Sequence, residues 1–385
     1  MQGAVALPRV RRAVRPLQMH LESRSPMGPK SDFHSLTVAE VRQETPDAVS
    51  IRFHLPDEAR EQFAFQAGQY LTLRAEIAGE DVRRNYSVCS SPLDGELRVA
   101  VKALEGGAFS GYATRELKAG DRIDVMPATG HFTALFEAGR ERHYAAFAAG
   151  SGITPILSLI KTALSVEDTS RFTLFYGNRV SAHILFLEEL SGLKNRFMGR
   201  LEIYHFLTLE EEEIDLFNGR LDRAKCDEIL DTLIDPSAID MAFACGPEGM
   251  MLAAEAALLA HDVAPDRILL ERFATGGARV LDAAARERAD AAKGRQMGVV
   301  LDGRKLTVAF DAESGNILDS VRKTGAPAPF ACKGGVCATC RAKVVSGDVE
   351  MRINYGLTPE EVEQGYVLTC QSVPLSDDVV VSYDS

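Results

Sequence analysis

The chain reads as a three-domain protein: an antiparallel β-barrel, then an α/β domain on a parallel sheet, then a small α+β domain. Three observations predict this. Up to about residue 131, short alternating strands are separated by turn residues. From about 142 to 273, continuous apolar runs alternate with helical periodicity. After residue 297, a hairpin signal precedes four cysteines. At 385 residues the chain is too long for one ordinary domain, and two or three are expected. Expected boundaries are an N-terminal extension at 1–30, the barrel at 31–138, the parallel-sheet domain at 139–275, a linker at 276–297 and the last domain at 298–385.

The first thirty residues carry Arg9, Arg11, Arg12 and Arg15 in a Pro-containing stretch with no apolar core of the kind a signal peptide needs. An Arg-rich, acid-poor tail has the look of a transit peptide, but a disordered extension is the simpler reading. Met27 is an alternative start, and order is expected to begin near Phe33. The barrel is predicted from strands near 49–55, 70–77, 84–89, 97–104 and 122–126, with one helix near 109–117. Apolar runs at 144–149, 172–176, 201–206, 241–244 and 268–270 follow. Between them, Ile156, Leu159, Ile160 and Leu164 recur at helical spacing. Strands without alternation, separated by helices, belong to a parallel sheet covered on both faces.

Residues 276–297 are rich in Ala, Arg and Gly without a clear apolar face, which reads as a partly helical linker. Beyond it, runs at 299–301 and 306–310 flank Asp302-Gly303 as a hairpin. Thr358-Pro359-Glu360-Glu361 reads as a helix start, with an N-cap, Pro at the first position and a capping-box Glu.

Composition narrows the function. A formal net charge of −12 argues against nucleic acid as a partner. No run of eighteen apolar residues is present, so no membrane-spanning helix is predicted. Seven cysteines, four in one C-terminal region, suit a metal site in a reducing compartment, which points to the cytoplasm.

The most specific motif is Cys332-x4-Cys337-x2-Cys340, followed after twenty-nine intervening residues by Cys370. This is the plant-type ligand spacing for a [2Fe–2S] cluster. Zinc is the competing reading, although zinc sites more often use two Cys-x2-Cys pairs. Gly334 and Gly335 let the backbone bend tightly and bring N–H groups near the sulfurs.

Arg84-Asn85-Tyr86-Ser87 closes a strand, and Gly106-Gly107-Ala108-Phe109-Ser110 leads into a helix. Singly these are an edge strand and a loop. Together they supply a guanidinium for a phosphate, a ring for a planar ligand and an anion-binding helix start, as a flavin dinucleotide needs. Gly150-Ser151-Gly152-Ile153-Thr154-Pro155 follows the first parallel strand, where a pyrophosphate would bind, or else makes a tight strand–helix turn. Cys245-Gly246-Pro247 repeats the arrangement at a later strand end, with Cys245 either packing or neighbouring a nicotinamide. Arg179 and Ser181, after the second parallel strand, suit a 2′-phosphate and hence NADPH, with NADH possible and helix-surface Arg as the alternative. Cys89 and Cys226 read as small buried hydrophobes.

In this order the motifs resemble the ferredoxin–NADP⁺ reductase superfamily fused to a plant-type ferredoxin, from about Phe33 to the C-terminus. The layout of flavin, nicotinamide and C-terminal cluster looks like the reductase components that serve phenylacetyl-CoA epoxidase. The resemblance implies FAD, NADPH and a [2Fe–2S] cluster as cofactors, and a β-grasp fold for the last domain. It implies Arg84 on the flavin pyrophosphate, Tyr86 and Ser87 beside the ring, and Gly107, Phe109 and Ser110 completing the phosphate site. Gly150, Ser151, Gly152, Thr154, Arg179 and Pro247 would hold the nucleotide, with Cys245 and Gly246 flanking the nicotinamide. Ser87, Cys245 and Glu271 would neighbour the hydride transfer, and no side-chain acid, base or nucleophile is nominated. Phe273 matches a segment that ends many relatives beside the flavin, whereas this chain runs on. The implied electron acceptor is a di-iron oxygenase, the phenylacetyl-CoA epoxidase complex. The alternatives are a reductase for another oxygenase, and a non-catalytic redox sensor or cluster-carrying adaptor.

Overall fold

The computed structural model describes residues 9–10, 33–273 and 283–385. The expected extension at 1–30 therefore lies outside the described residues apart from β1 (Arg9–Val10), as do the first residues of the expected linker. The chain divides into two compact units, residues 32–273 and residues 274–385 with the N-terminal stretch.

In the first unit, β2 (His34–Thr45), β3 (Ala48–His54), β4 (Tyr70–Ile77), β5 (Glu80–Ser87), β6 (Leu97–Lys102) and β7 (Arg122–Val125) form an antiparallel sheet in the order β5-β4-β7-β2-β3-β6. The two ends meet where Val88 bridges to Val99 and Cys89 N–H donates to Arg98 O at 2.9 Å. That bridge curls the sheet into a barrel. Ile51, Leu71, Leu73, Val99, Val101 and Val125 are fully buried inside it, with Phe109 from helix α1 (Ala108–Arg115) closing one end. The twelve-residue β2 is the longest strand of the barrel, yet its uneven burial hides the alternation that marks a strand.

The second half of the unit holds β8 (His143–Ala149), α2 (Ile153–Val166), β9 (Arg171–Asn178), α3 (Leu187–Arg196), β10 (Leu201–Leu207), α4 (Arg223–Thr232), β11 (Met241–Cys245), α5 (Glu248–Ala260) and β12 (Ile268–Glu271). All five strands are parallel, in the order β10-β9-β8-β11-β12. The order reverses between β8 and β11, so the chain leaves these neighbouring strands in opposite directions and a crevice opens at their carboxyl ends. Separate cores lie on the two faces, one under α2 and α3, the other under α4 and α5.

A buried carboxylate ties the opposite edge. Glu167 is wholly buried and accepts from Tyr144 Oη (2.9 Å), Ser170 Oγ (2.7 Å) and Glu137 N–H (3.2 Å).

In the second unit, α6 (Ala283–Ala291) occupies part of the expected linker and buries Ala285 and Ala289, with Ala292 following. This face of alanines is too weak to register as hydrophobic periodicity, but it packs into the core of this unit. Then come β13 (Gln296–Leu301), β14 (Arg304–Ala309), α7 (Ile317–Lys323), β15 (Arg341–Ser346), β16 (Val349–Met351), α8 (Pro359–Glu363), β17 (Tyr366–Leu368), β18 (Ser372–Pro374) and β19 (Val380–Ser382). The main sheet runs β14-β13-β19-β15-β17, with β13 and β19 parallel inside an otherwise antiparallel set. A small sheet, β1-β16-β18, stands beside it. Helix α8 starts as expected: Thr358 caps, Pro359 opens, and Glu361 closes the capping box.

Replacing Glu167 by Ala leaves the Tyr144 hydroxyl without its acceptor, while Ser170 Oγ keeps Arg140 O at 3.2 Å. Unfolding of residues 32–273 is expected to become easier by about 2–4 kcal/mol. Thermal unfolding followed by circular dichroism reads this as an earlier transition.

Candidate functional site

Pairing with β4 holds the end of β5 in register, with Leu73 opposite Arg84, Leu71 opposite Tyr86 and Tyr70 opposite Ser87. Strand alternation puts Arg84 and Tyr86 on one face. Arg84 is half-buried, and its Nη1 donates to Arg83 O at 2.7 Å. The Tyr86 ring lies 5.5 Å from that of Phe109. Phe109 is 1% exposed, so its part in the site is to support Tyr86 from the barrel core. Ser87 is 3% exposed and its Oγ has no hydrogen-bond partner among the described residues. A buried hydroxyl left unpaired is costly, and a flavin ring nitrogen would pair it. By that measure the residues fit FAD.

Gly107 stands at the N-cap of α1, and no side chain caps the helix. The Ser110 hydroxyl accepts from Leu104 N–H (3.1 Å) and donates to Gly107 O (3.3 Å), so it braces the loop. Anion binding there falls to backbone N–H groups and the helix dipole.

At the carboxyl edge of the parallel sheet, Gly150–Gly152 form a 3₁₀ turn that runs into α2 without a side-chain cap. A side chain at Gly152 would sit 2.0 Å from Cys245 O, so only glycine lets this turn lie on the end of β11. Two motifs separated by more than ninety residues thus form one floor. Thr154 Oγ1 donates to Ser151 O at 3.0 Å and Tyr176 Oη donates to Gly150 O at 2.9 Å, which fixes the turn from both sides. The support from Tyr176 has no sequence signal, since an apolar strand tyrosine reads as packing.

Cys245 is fully buried, with Ala148 beside it on β8 and Glu271 beside it on β12. Burial and the neighbouring Glu271 carboxylate hold its thiol far above the ordinary range. Burial likewise pushes the Glu271 carboxyl from its ordinary 4.5 up to about 8. Pro247 occupies the N-cap of α5, one position before the first helical turn that the sequence predicts for it. Arg179 is exposed just past the end of β9, and Ser181 is exposed two residues on. Phe273 is 36% exposed.

The barrel motifs and the nucleotide turn share a support. Ser158 Oγ of α2 donates to Ser90 O at 2.6 Å, and Thr162 Oγ1 lies 2.8 Å from Ser91 Oγ. Ser90 is three residues beyond Ser87, so the strand end carrying the unpaired hydroxyl is fastened to the helix that begins at the turn.

In the second unit, Cys332, Cys337, Cys340 and Cys370 are all buried. Gly334 N–H and Cys337 N–H each donate to Cys332 Sγ at 3.3 Å, and Cys332 N–H donates to Cys337 Sγ at 3.3 Å. Gly335 sits at φ +78°, and a side chain there would press on Gln371 and Ile353 at 3.1 Å. Gln371, which the sequence did not single out, donates through Nε2 to Lys333 O (2.8 Å) and toward Cys370 Sγ (3.7 Å).

The thiols meet in two pairs. A hydrogen bond from Cys332 pulls Cys337 down to about 6, and one from Cys340 lowers Cys370, while Cys332 and Cys340 are raised. Among the described residues no group of three or more His, Cys, Asp or Glu side chains is arranged to hold one metal ion. Inward-turned N–H donors on this ligand spacing fit a [2Fe–2S] cluster. Cys89 and Cys226, in the first unit, are buried, with thiols raised by burial to about 12.

Glu271 sets a pH dependence. Between pH 4.5 and about 8 the folded chain keeps a proton that the unfolded chain releases. The stability this proton confers is therefore complete below the ordinary value and is lost as pH rises through the shifted one. Glu271→Gln is expected to flatten that decline, measured as the thermal midpoint at a series of pH values.

Three family models match the chain. They are the oxidoreductase FAD-binding domain over residues 35–134, the oxidoreductase NAD-binding domain over 147–256, and the 2Fe-2S iron-sulfur cluster binding domain over 299–375. A component of the 1,2-phenylacetyl-CoA epoxidase of Escherichia coli (strain K12) is 46% identical over 353 residues, 92% of this chain and 98% of that one. The ferredoxin reductase component of 3-ketosteroid-9-alpha-monooxygenase from Rhodococcus rhodochrous is 32% identical, covering 90% of this chain and 96% of that one. Among solved structures, phthalate dioxygenase reductase matches with a TM-score of 0.56 at 21% identity, over 92% of this chain and 98% of that one. An intact type IV self-sufficient cytochrome P450 monooxygenase matches with a TM-score of 0.67 at 22% identity, and this chain spans 43% of its length. The sheet orders, the paired thiols and this similarity along nearly the whole chain agree: the protein belongs to the family of FAD- and [2Fe–2S]-containing reductase components of oxygenases.

Proposed function

We propose that the chain is the reductase component of a phenylacetyl-CoA 1,2-epoxidase, drawing electrons from NADPH and delivering them to the di-iron oxygenase components in aerobic phenylacetate catabolism. The observation that carries this reading is 46% identity across 92% of the chain and 98% of its Escherichia coli epoxidase relative. Other relatives of the same layout serve different oxygenases at lower identity.

In this reading Arg84 and the N–H groups that follow Gly107 hold the FAD phosphates, and Tyr86 and Ser87 lie beside the ring. Gly150, Ser151, Gly152 and Thr154 form the seat for the nucleotide pyrophosphate, Pro247 starts the second helix that faces it, and Cys245 and Gly246 line the nicotinamide position. Arg179 and Ser181 take the 2′-phosphate. Cys332, Cys337, Cys340 and Cys370 ligate the cluster. When bound, the flavin takes an electron pair from the nucleotide and releases single electrons, which the cluster carries. The protein's part is to hold the groups and exclude water. Cys245, buried with a raised thiol, adds a neutral group at the end of β11 and no charge to the nicotinamide position. Ser87 supplies one hydroxyl donor to the flavin edge, and Glu271, held protonated by burial, adds no charge beside the reacting atoms below about pH 8.

Three functional domains at 31–138, 139–275 and 298–385 belong to the same reading. So does a cytoplasmic location, which the seven free cysteines favour. No helix among the described residues is long and apolar enough to cross a membrane.

Anaerobic addition of NADPH to the FAD- and cluster-loaded protein is expected to bleach the flavin absorbance. Addition of the epoxidase oxygenase components and phenylacetyl-CoA in air is then expected to consume the thioester. Cys337→Ala should keep NADPH-dependent ferricyanide reduction and lose the epoxidation. Flavin reduction without epoxidation in the native protein would reject the partner and leave the reductase chemistry standing.

A further inference from the structure

Beyond the end of the β9–β10 pairing, the backbone makes two more rungs. Thr208 N–H donates to Asn178 O at 3.1 Å, and Leu209 N–H donates to Arg179 O at 2.9 Å. These rungs carry Glu210 to Ser181, where both carboxylate oxygens are used: Oε2 accepts from Ser181 N–H at 2.9 Å and Oε1 accepts from Ser181 Oγ at 3.2 Å. Glu210 is half-buried, whereas Glu211, Glu212 and Glu213 are exposed. The Arg179 guanidinium, two residues from Ser181, makes no ion pair among the described residues despite this run of glutamates. An N–H and a hydroxyl aimed at one anion, with an arginine two residues away in the chain, are donors a phosphate monoester uses. Here a carboxylate of the chain itself occupies two of them.

We propose that Glu210 is an internal stand-in for the 2′-phosphate of NADPH, which must displace it to bind, and that Glu210 thereby sets the preference between NADPH and NADH. This rests on the reading of the 150–152 turn as the nucleotide pyrophosphate seat. A dianionic phosphate and a carboxylate cannot share the Ser181 donors, because both are acceptors and like charges this close repel. A ribose that keeps its free 2′-hydroxyl carries no charge to repel the carboxylate, and it leaves Glu210 in place. The carboxylate therefore weakens NADPH and leaves NADH untouched, so the chain holds its phosphate-bearing nucleotide less tightly than the donor set allows.

Calorimetric titration of the FAD- and cluster-loaded full chain with 2′,5′-ADP and with 5′-AMP tests this without turnover. Glu210→Gln is expected to bind 2′,5′-ADP about tenfold more tightly, the scale of one charge-assisted contact no longer to be displaced, with 5′-AMP unchanged. Ser181→Ala is expected to weaken 2′,5′-ADP alone. Equal changes for both nucleotides in Glu210→Gln would overturn the inference, as would selective weakening of 5′-AMP, which would make the carboxylate a ribose acceptor. A native protein that binds neither nucleotide would overturn the nucleotide reading and this inference with it. Binding of both by the native protein, with no effect of Glu210→Gln, would overturn the inference alone.

Discussion

Helix α2 meets the barrel through hydroxyl groups, Ser158 to the Ser90 carbonyl and Thr162 to Ser91, while its other side packs on the parallel sheet. Eleven of its fourteen residues are buried, so the helix is sandwiched and has little freedom to shift. Its first turn is the Gly150–Gly152 seat, and its middle clamps the chain just after Ser87. Lys161 on the same helix adds a charged tie, to Asp94 at 2.5 Å and Glu189 at 2.9 Å, and Arg98 reaches Glu189 from the barrel at 2.8 Å. These ion pairs at the seam are partly shielded from solvent, so they hold more than their exposed counterparts do. A two-electron handover needs its donor and acceptor rings at contact distance. In this unit one helix braces both motifs.

The cluster region meets a different demand. Sulfur ligands are best stabilised by N–H donors, and loops satisfy this only where the backbone turns its amides inward. Lys333 and Ala338 take left-handed backbone angles, φ +52° and +51°, although both carry a Cβ. Such strain of about 1–3 kcal/mol per residue persists where the surroundings impose it, and here it flanks the ligands Cys332, Cys337 and Cys340. Gln371 and the Ile353 region brace the loop from behind, which is why Gly335 admits no side chain.

What the sequence made legible follows from how local each signal is. The ligand spacing of the cysteines, the capping box at Thr358 and the apolar runs of the parallel strands are set by neighbours a few residues apart, and the structure carries each within a residue or two. Strand β2 was obscured because its two faces are unequally covered along its length. Helix α6 was obscured because alanine buries little area and leaves a faint pattern. The Tyr176, Glu167 and Glu210 contacts join residues roughly twenty-five to thirty apart, and no spacing rule connects a carboxylate to the hydroxyl it will meet across a sheet edge. Ser110 and Phe109 were legible as members of the flavin loop, but their work as braces emerged only from the partners they found.

A division follows from these contacts. In the proposed reading, the seats for the pyrophosphates and the cluster are built from backbone and glycine, with side chains such as Thr154, Tyr176, Ser110 and Gln371 spent on holding loops in place. Backbone donors recognise any phosphate or sulfur and discriminate little, so the chemistry common to relatives with different oxygenases needs nothing else. Discrimination must then sit where side chains are exposed and free to differ. At the nucleotide end that place is the stretch from Asn178 to Ser181 with Glu210 across from it, outside the last rung of the sheet. Under the proposal, a change at Ser181 or Glu210 alters which nucleotide is favoured, since neither is in the core. In the same reading Cys245 and Glu271, paired across β11 and β12, bring no charge to the nicotinamide position below about pH 8.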